Sequence, residues 1–186
     1  LALDEAIFIA QDGVLKFANP QTLVLTGATA EEMAAAPFTA FIHPDDREFV
    51  RENHLRRLRG ERFPRYRFRI VRKTGETRWV ELDAVRIRWQ GGDATLNFAT
   101  DVTERVATEE ALKESEARYR SFFLTSRDAV FITDREGNLL DCNDAAVGLF
   151  GGEDKETRIR SLRISDVYTD PAERVRHTEA IERHGM

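Results

Sequence analysis

Ala6-Ile7-Phe8-Ile9, a polar turn closed by Gly13, then Val14-Leu15-Lys16-Phe17-Ala18-Asn19: this stretch decides the fold because it occurs twice. The second copy runs Ala129-Val130-Phe131-Ile132, a polar turn closed by Gly137, then Asn138-Leu139-Leu140-Asp141-Cys142-Asn143. A short apolar run, a Gly-containing turn and a second run spell a β-hairpin. Self-similarity of this kind marks two copies of one structural unit. The segments after the two hairpins also match. Asn19 precedes Pro20 and a short apolar stretch ending at Gly27, and Asn143 precedes Asp144 and a stretch of the same length ending at Gly151. An Asn side chain accepts from an orphan amide of the first helical turn. Pro suits the first helical position, and Gly suits the left-handed residue past the last. Each copy predicts strand, strand, short capped helix.

Working outward, Thr29-Ala30-Glu31-Glu32-Met33 predicts a second short helix with acids near its start. His43-Pro44-Asp45-Asp46-Arg47 opens a longer helix, expected to run to about Arg59 with Gly60 as its stop. Its buried stripe is expected to carry Val50, His54 and Leu58, with Phe49 and Leu55 on the flanks. The period then changes. Tyr66, Phe68 and Ile70 alternate with Arg65, Arg67 and Arg69, a half-buried strand with an arginine-rich outer face. Lys73 to Glu76 is a turn, Trp79 to Trp89 a long strand, Gln90 to Asp93 another turn, and Ala94 to Val102 a third strand. The apolar positions of the long strand change parity at Ala84-Val85, which predicts a bulge or a face covered on both sides.

From Thr103 to about Phe123 there is no Gly, no Pro and many strong helix formers. Val102, Val106, Leu112, Tyr119 and Phe123 form a thin apolar seam, suited to a two-stranded coiled coil and hence a homodimer. Composition limits the partners. Lys plus Arg is 28 and Asp plus Glu is 33, a net charge of -5, which gives no global field for nucleic acid or an anionic membrane. No apolar run approaches the roughly 20 residues of a spanning helix, and no signal peptide is visible. With Cys142 the single cysteine, neither an intrachain disulfide nor a cysteine zinc site is available, as expected of a cytoplasmic protein. Leu1 in place of Met suggests that the chain begins inside a longer protein, to which any membrane anchor would belong.

In order, these residues resemble a PAS domain of the S-box type. The resemblance rests on the hairpin ending in Asn19, on Ile42 to Arg47, and on Arg72-Lys73-Thr74-Gly75-Glu76-Thr77-Arg78-Trp79. Asp101-Val102-Thr103-Glu104-Arg105 is similar to the family's Asp-Ile-Thr signature, with Val in the middle. Ser115-Glu116-Ala117-Arg118-Tyr119-Arg120 is similar to the helix that links consecutive modules. The implied fold is α+β: a five-stranded antiparallel sheet with short helices on one face, then a linker helix, then a second, incomplete PAS module. The implied domains are 1–103, 104–123 and 124–186. The second copy stops after Ile164 to Tyr168 and a helix expected from Pro171 to Arg183, without three sheet strands. This half is expected to be poorly ordered or to rest on a partner chain, unless residues beyond Met186 complete it.

The resemblance implies a sensor or interaction module of a bacterial signal-transduction protein. Its pocket candidates are Phe17, Leu23, Phe38, Ile42 and Val50 with His54, Tyr66, Phe68, Leu82 and Phe98. Asp101, Val102, Thr103 and Glu104 are expected to pass the signal to an output domain, a sensor histidine kinase or alternatively a diguanylate cyclase. A ligand-free dimerisation module is a competing reading. The cofactor is left open and none is required. Haem through His54 is implied only by analogy with oxygen-sensing PAS proteins, whose other features this sequence lacks. Flavin photochemistry is disfavoured because Cys142 precedes Asn143 on a strand. His43 is read as a helix cap and Asp45 and Asp46 as helix-start acids that point apart. Gly91-Gly92-Asp93 lacks the Glu-Phe of a cyclase signature, and Gly151-Gly152 lacks the Gly-Lys-Ser/Thr of a phosphate loop. No catalytic set or metal site is expected.

Overall fold

Asp12 and Gly13 both take positive φ, 53° and 78°, the two-residue turn whose twist matches that of a β-hairpin. They join β1 (Ala6–Gln11) to β2 (Val14–Ala18). The computed structural model of the chain describes residues 5–134, 136–150 and the single positions 156, 163 and 176. Two compact units emerge, Leu1–Ala111 and Leu112–Met186.

In the first unit the hairpin leads into α1 (Pro20–Thr26) and α2 (Ala30–Ala35). Asn19 Oδ1 accepts the Thr22 N–H at 3.0 Å, and Gly27 closes α1 at φ 70°. Thr29 and Glu32 form the reciprocal capping box of α2. Two 3-10 turns, Phe38–Phe41 and Pro44–Asp46, precede α3 (Arg47–Leu58). The strands β3 (Tyr66–Val71), β4 (Thr77–Trp89) and β5 (Gly92–Asp101) follow as a meander. The sheet order is β2-β1-β5-β4-β3, antiparallel throughout, so the first hairpin docks on the last strand.

Side chains alternate along each strand. Ala6, Phe68, Ile70, Val80, Leu82 and Ala99 all face the helices and pack with Ile42 and Val50. Met33 of α2, Ala10, Leu15 and Ala28 form the adjoining apolar cluster. The bulge expected near Ala84 is absent. Pairing of β4 with β5 is unbroken from Val80↔Asp101 to Trp89↔Gly92. Parity changes because Val85 and Ile87 turn to the outer face, where Leu96 and Ala94 are their cross-strand neighbours.

The helix α4 (Thr103–Thr125) links the two sequence repeats. The second unit contains β6 (Phe131–Thr133), β7 (Leu139–Cys142) and α5 (Asp144–Leu149). Leu139, Cys142 and Ala146 make its small core. The repeat holds at atomic detail. Asn19 Oδ1 also accepts from Ile7 N at 3.0 Å, and Asn143 Oδ1 accepts from Val130 N at 3.0 Å as well as from Ala146 N at 2.9 Å. One side chain thus caps a helix and fastens the start of a strand in each copy. The expectations for Gly151, Ile164 to Tyr168 and, Arg176 apart, Pro171 to Arg183 lie outside the described residues.

Candidate functional site

The inward face of α3 carries Val50, Asn53, His54 and Arg57, all buried. The spacing of three, four and seven is that of a core-facing helical stripe, yet three of the four are polar. The expected stripe is therefore wrong in part: Leu58 and Leu55 are less buried than Arg57, Leu55 and Phe49 being exposed. Helical geometry turns Asn53 and Arg57 inward despite their polarity, and hydropathy alone misses them.

Between α3, α1 and the sheet lies a cavity of about 70 Å³. Of the expected pocket residues, Phe38, Ile42, Val50, His54, Tyr66, Phe68 and Leu82 line it. Three others do not. Phe17 is 45% exposed, paired with Ile9 on the outer face. Phe98 pairs with Asp83 and Ile7, because strand alternation sends its neighbours Asn97 and Ala99 inward. Leu23 packs against the cluster around Met33, while Thr22, Leu25 and Thr26 present the cavity face of α1.

His54 lies against Thr95 and Phe38. Its Nδ1 is 3.2 Å from Thr95 Oγ1 and its ring centroid 5.0 Å from that of Phe38. Burial first, and then the nearby Arg57 charge, lower its pKa below the ordinary 6.5. A haem or flavin does not fit a space this far below the roughly 300–1,000 Å³ that larger ligands occupy. Cys142 is buried on β7, in the second unit's own core.

Arg57 departs furthest from expectation. Its Nη1 donates to Tyr66 Oη at 3.4 Å, and its Cζ lies 5.0 Å from the Tyr66 ring and 5.6 Å from the Phe63 ring. Burial raises the Tyr66 pKa, opposed by Arg57 and then by Asn53.

The end of β5 forms a second candidate region. Asp101 Oδ1 accepts from Thr103 N at 2.9 Å and from Thr103 Oγ1 at 2.6 Å, and Asp101 Oδ2 lies 3.1 Å from Arg78 Nη1. Burial raises the Asp101 pKa, but the Thr103 hydrogen bonds and the Arg78 charge together outweigh it and hold the carboxyl below 3.8. Val102 is buried, and its N–H donates to Trp79 O at 2.9 Å. Glu104 lies in the first turn of α4, where a carboxylate opposes the macrodipole. Further along, Glu81 Oε1 lies 3.2 Å from Arg67 Nε and 2.8 Å from Arg105 Nη2, and Arg67 Nη1 donates to Glu109 Oε2 at 2.9 Å. This network joins sheet to helix, and the alternating arginines of β3 were its sequence trace.

His43 and the two acids after it divide between expectation and correction. His43 Nδ1 accepts from Asp45 N at 3.4 Å, a cap of the turn before α3. Asp45 and Asp46 do not point apart but converge on Arg69 Nη2, at 3.4 and 2.6 Å. Of the thin seam, Val102 just before α4 and Val106 and Phe123 on it are buried, and Leu112 and Tyr119 remain exposed, as are Phe122 and Leu124. Among the described residues, no helix is long and apolar enough to cross a membrane.

A five-stranded antiparallel sheet of this order, cupping short helices around a cavity and leaving by a capped helix, defines a sensory α+β module. Residues 15–95 match the family described as PAS fold, and residues 117–182 match that described as PAS domain. The chain belongs to the PAS family. It is similar to a sensory box histidine kinase/response regulator from Burkholderia thailandensis E264, with TM-score 0.51 and 21% identity over 63% of this chain and 91% of that one. It is also similar to an RNA-binding light-oxygen-voltage receptor, with TM-score 0.50 and 24% identity over 62% of this chain and 35% of that one. These likenesses establish the fold. No curated protein matches the chain.

Proposed function

We propose that the first module, residues 1–103, is a sensor that takes a small, mostly apolar molecule into the cavity and passes its occupancy through Asp101 to Glu104 into the linker helix, residues 104–123. Residues 124–186 form the second PAS module. The observation that carries this reading is the juxtaposition of an apolar cavity with four buried polar side chains, His54, Arg57, Thr95 and Asn97, in one small region. An apolar pocket with a few convergent polar groups is the usual form of a ligand site. Binding shifts the sheet between two populations, and the capped start of α4 reports the change. The output is proposed to be a sensor histidine kinase of the same polypeptide, as in the Burkholderia protein's description, with a diguanylate cyclase as the alternative. The chain itself is proposed to be non-catalytic and cytoplasmic.

The test is a thermal-shift survey of metabolites on the chain and on Ala99→Leu, which fills the cavity from β5. Compounds that stabilise the parent and not the variant support the reading, and no such compound defeats it. The ligand-free homodimerisation module is the second reading, favoured by exposed Leu112, Tyr119 and Phe122 on α4. Sedimentation of Leu112→Glu with Phe122→Glu distinguishes it by loss of a dimer.

A further inference from the structure

Resting on the ligand-binding reading above, we propose that the cavity selects a small apolar molecule bearing one carboxylate, gripped by the unpartnered edge of the Arg57 guanidinium. Arg57 is 3% exposed and lines the cavity. Its Nη1 reaches Tyr66, but Nε and Nη2 are buried with no hydrogen-bond partner among the described residues. Those two nitrogens share one edge of the planar group. Their N–H bonds run side by side at the separation of two carboxylate oxygens.

The nearby acids are engaged elsewhere. Glu61 pairs with Arg56 and Arg59 at 2.7 and 3.2 Å, and Asp83 faces Arg65 at 3.7 Å. The Tyr66 and Phe63 rings offset part of the cost of burying the cation, but they give its N–H bonds no acceptor on that edge. An unanswered buried donor costs about 1–3 kcal/mol, and more when charged. A ligand carboxylate removes that cost.

The rest of the wall limits the body of the ligand. Phe38, Val50, Phe68 and Leu82 are apolar, and Arg57 is the one permanently charged residue among those lining the cavity. A volume of about 70 Å³ limits the ligand to a small body. A phosphate ester carries more oxygens and more charge than one guanidinium edge in an apolar wall can meet.

The test is calorimetric titration of the chain with benzoate and hexanoate, each beside its uncharged amide. At least one carboxylate is expected to bind about ten- to a hundredfold more tightly than its amide. Arg57→Met is expected to abolish that preference while still admitting the amide. Arg57→Lys keeps the charge without the fork and is expected to retain only a small part of it. A second readout needs no variant: the Arg57 Nε–H resonance is expected to shift with carboxylate and stay still with amide.

Equal affinity for acid and amide, or a preference that survives in Arg57→Met, overturns the assignment of the head group and leaves the ligand-binding reading standing. So does a metabolite survey that yields only uncharged binders. Failure of these four compounds and of the whole survey overturns both.

Discussion

Trp79 donates its backbone N–H to Thr103 Oγ1 at 3.0 Å, so the second residue after β5 is fastened to a strand that entered the sheet 24 residues earlier. The same hydroxyl donates to Asp101 Oδ1, and Val102 closes the arrangement through Trp79 O. The first turn of α4 is therefore held by β4 as well as by its own cap.

Thr103→Val keeps the shape and removes every hydrogen bond of the hydroxyl, leaving the Trp79 amide without its acceptor. A loss of about 1–2 kcal/mol is expected in urea unfolding. Hydrogen exchange at Trp79 and in the first turn of α4 is expected to quicken, with Thr103→Ser restoring protection. Unchanged exchange at Trp79 would contradict the fastening role.

Asp46 accepts from Arg69 N at 2.8 Å and from Arg69 Nη2 at 2.6 Å, and these bonds hold its carboxyl below the ordinary 3.8. A lowered folded value means that the stabilisation is complete above pH 3.8 and is lost as pH falls below it. Asp46→Asn is expected to cost about 1–3 kcal/mol at neutral pH and to flatten the acid limb of the stability profile. Denaturant midpoints measured down the acid range check both.

For His54 the window lies higher. Its folded pKa is below 6.5, so the unfolded chain binds the proton first, and stability is complete above that value and falls as pH drops through it. His54→Gln is expected to remove this part of the slope between roughly pH 5 and 7 while keeping a hydrogen-bonding group beside Thr95. Identical slopes in the two proteins would show that folding leaves the His54 pKa where it is in the unfolded chain, contradicting the shift assigned to its burial.

Met33 is 1% exposed and Val85 50% exposed, although both are apolar and lie on regular elements. Met33→Ala is expected to cost about 2–5 kcal/mol through the void it leaves. Val85→Ala is expected to change stability by less than about 0.5 kcal/mol. Chemical denaturation of the two variants gives the contrast directly.

Element order was readable because Asn, Pro and Gly act locally, within a few residues of Asn19, Pro20 and Gly27. Strand faces were readable where alternation was clean, as at Tyr66, Phe68 and Ile70. Phe17 and Phe98 were misplaced because their inward or outward direction depends on the pairing partner, which hydrophobicity does not encode. Arg57 was missed for a different reason. A charged residue at a core-facing helical position opposes the pattern by which cores are found, so only the spacing from Val50 and His54 could have revealed it.

The β4–β5 ladder has no bulge from its tip at Trp89 to its last rung at Asp101. Such a plank can tilt or twist but cannot telescope, since slipping one rung would turn every side chain over. A guest taken up as proposed, beneath Leu82 and Ala99, would press two rungs from the end where α4 departs. On the proposed sensor reading, the motion handed on is then expected to be angular, a swing of the helix about Val102 and not a piston stroke along its axis.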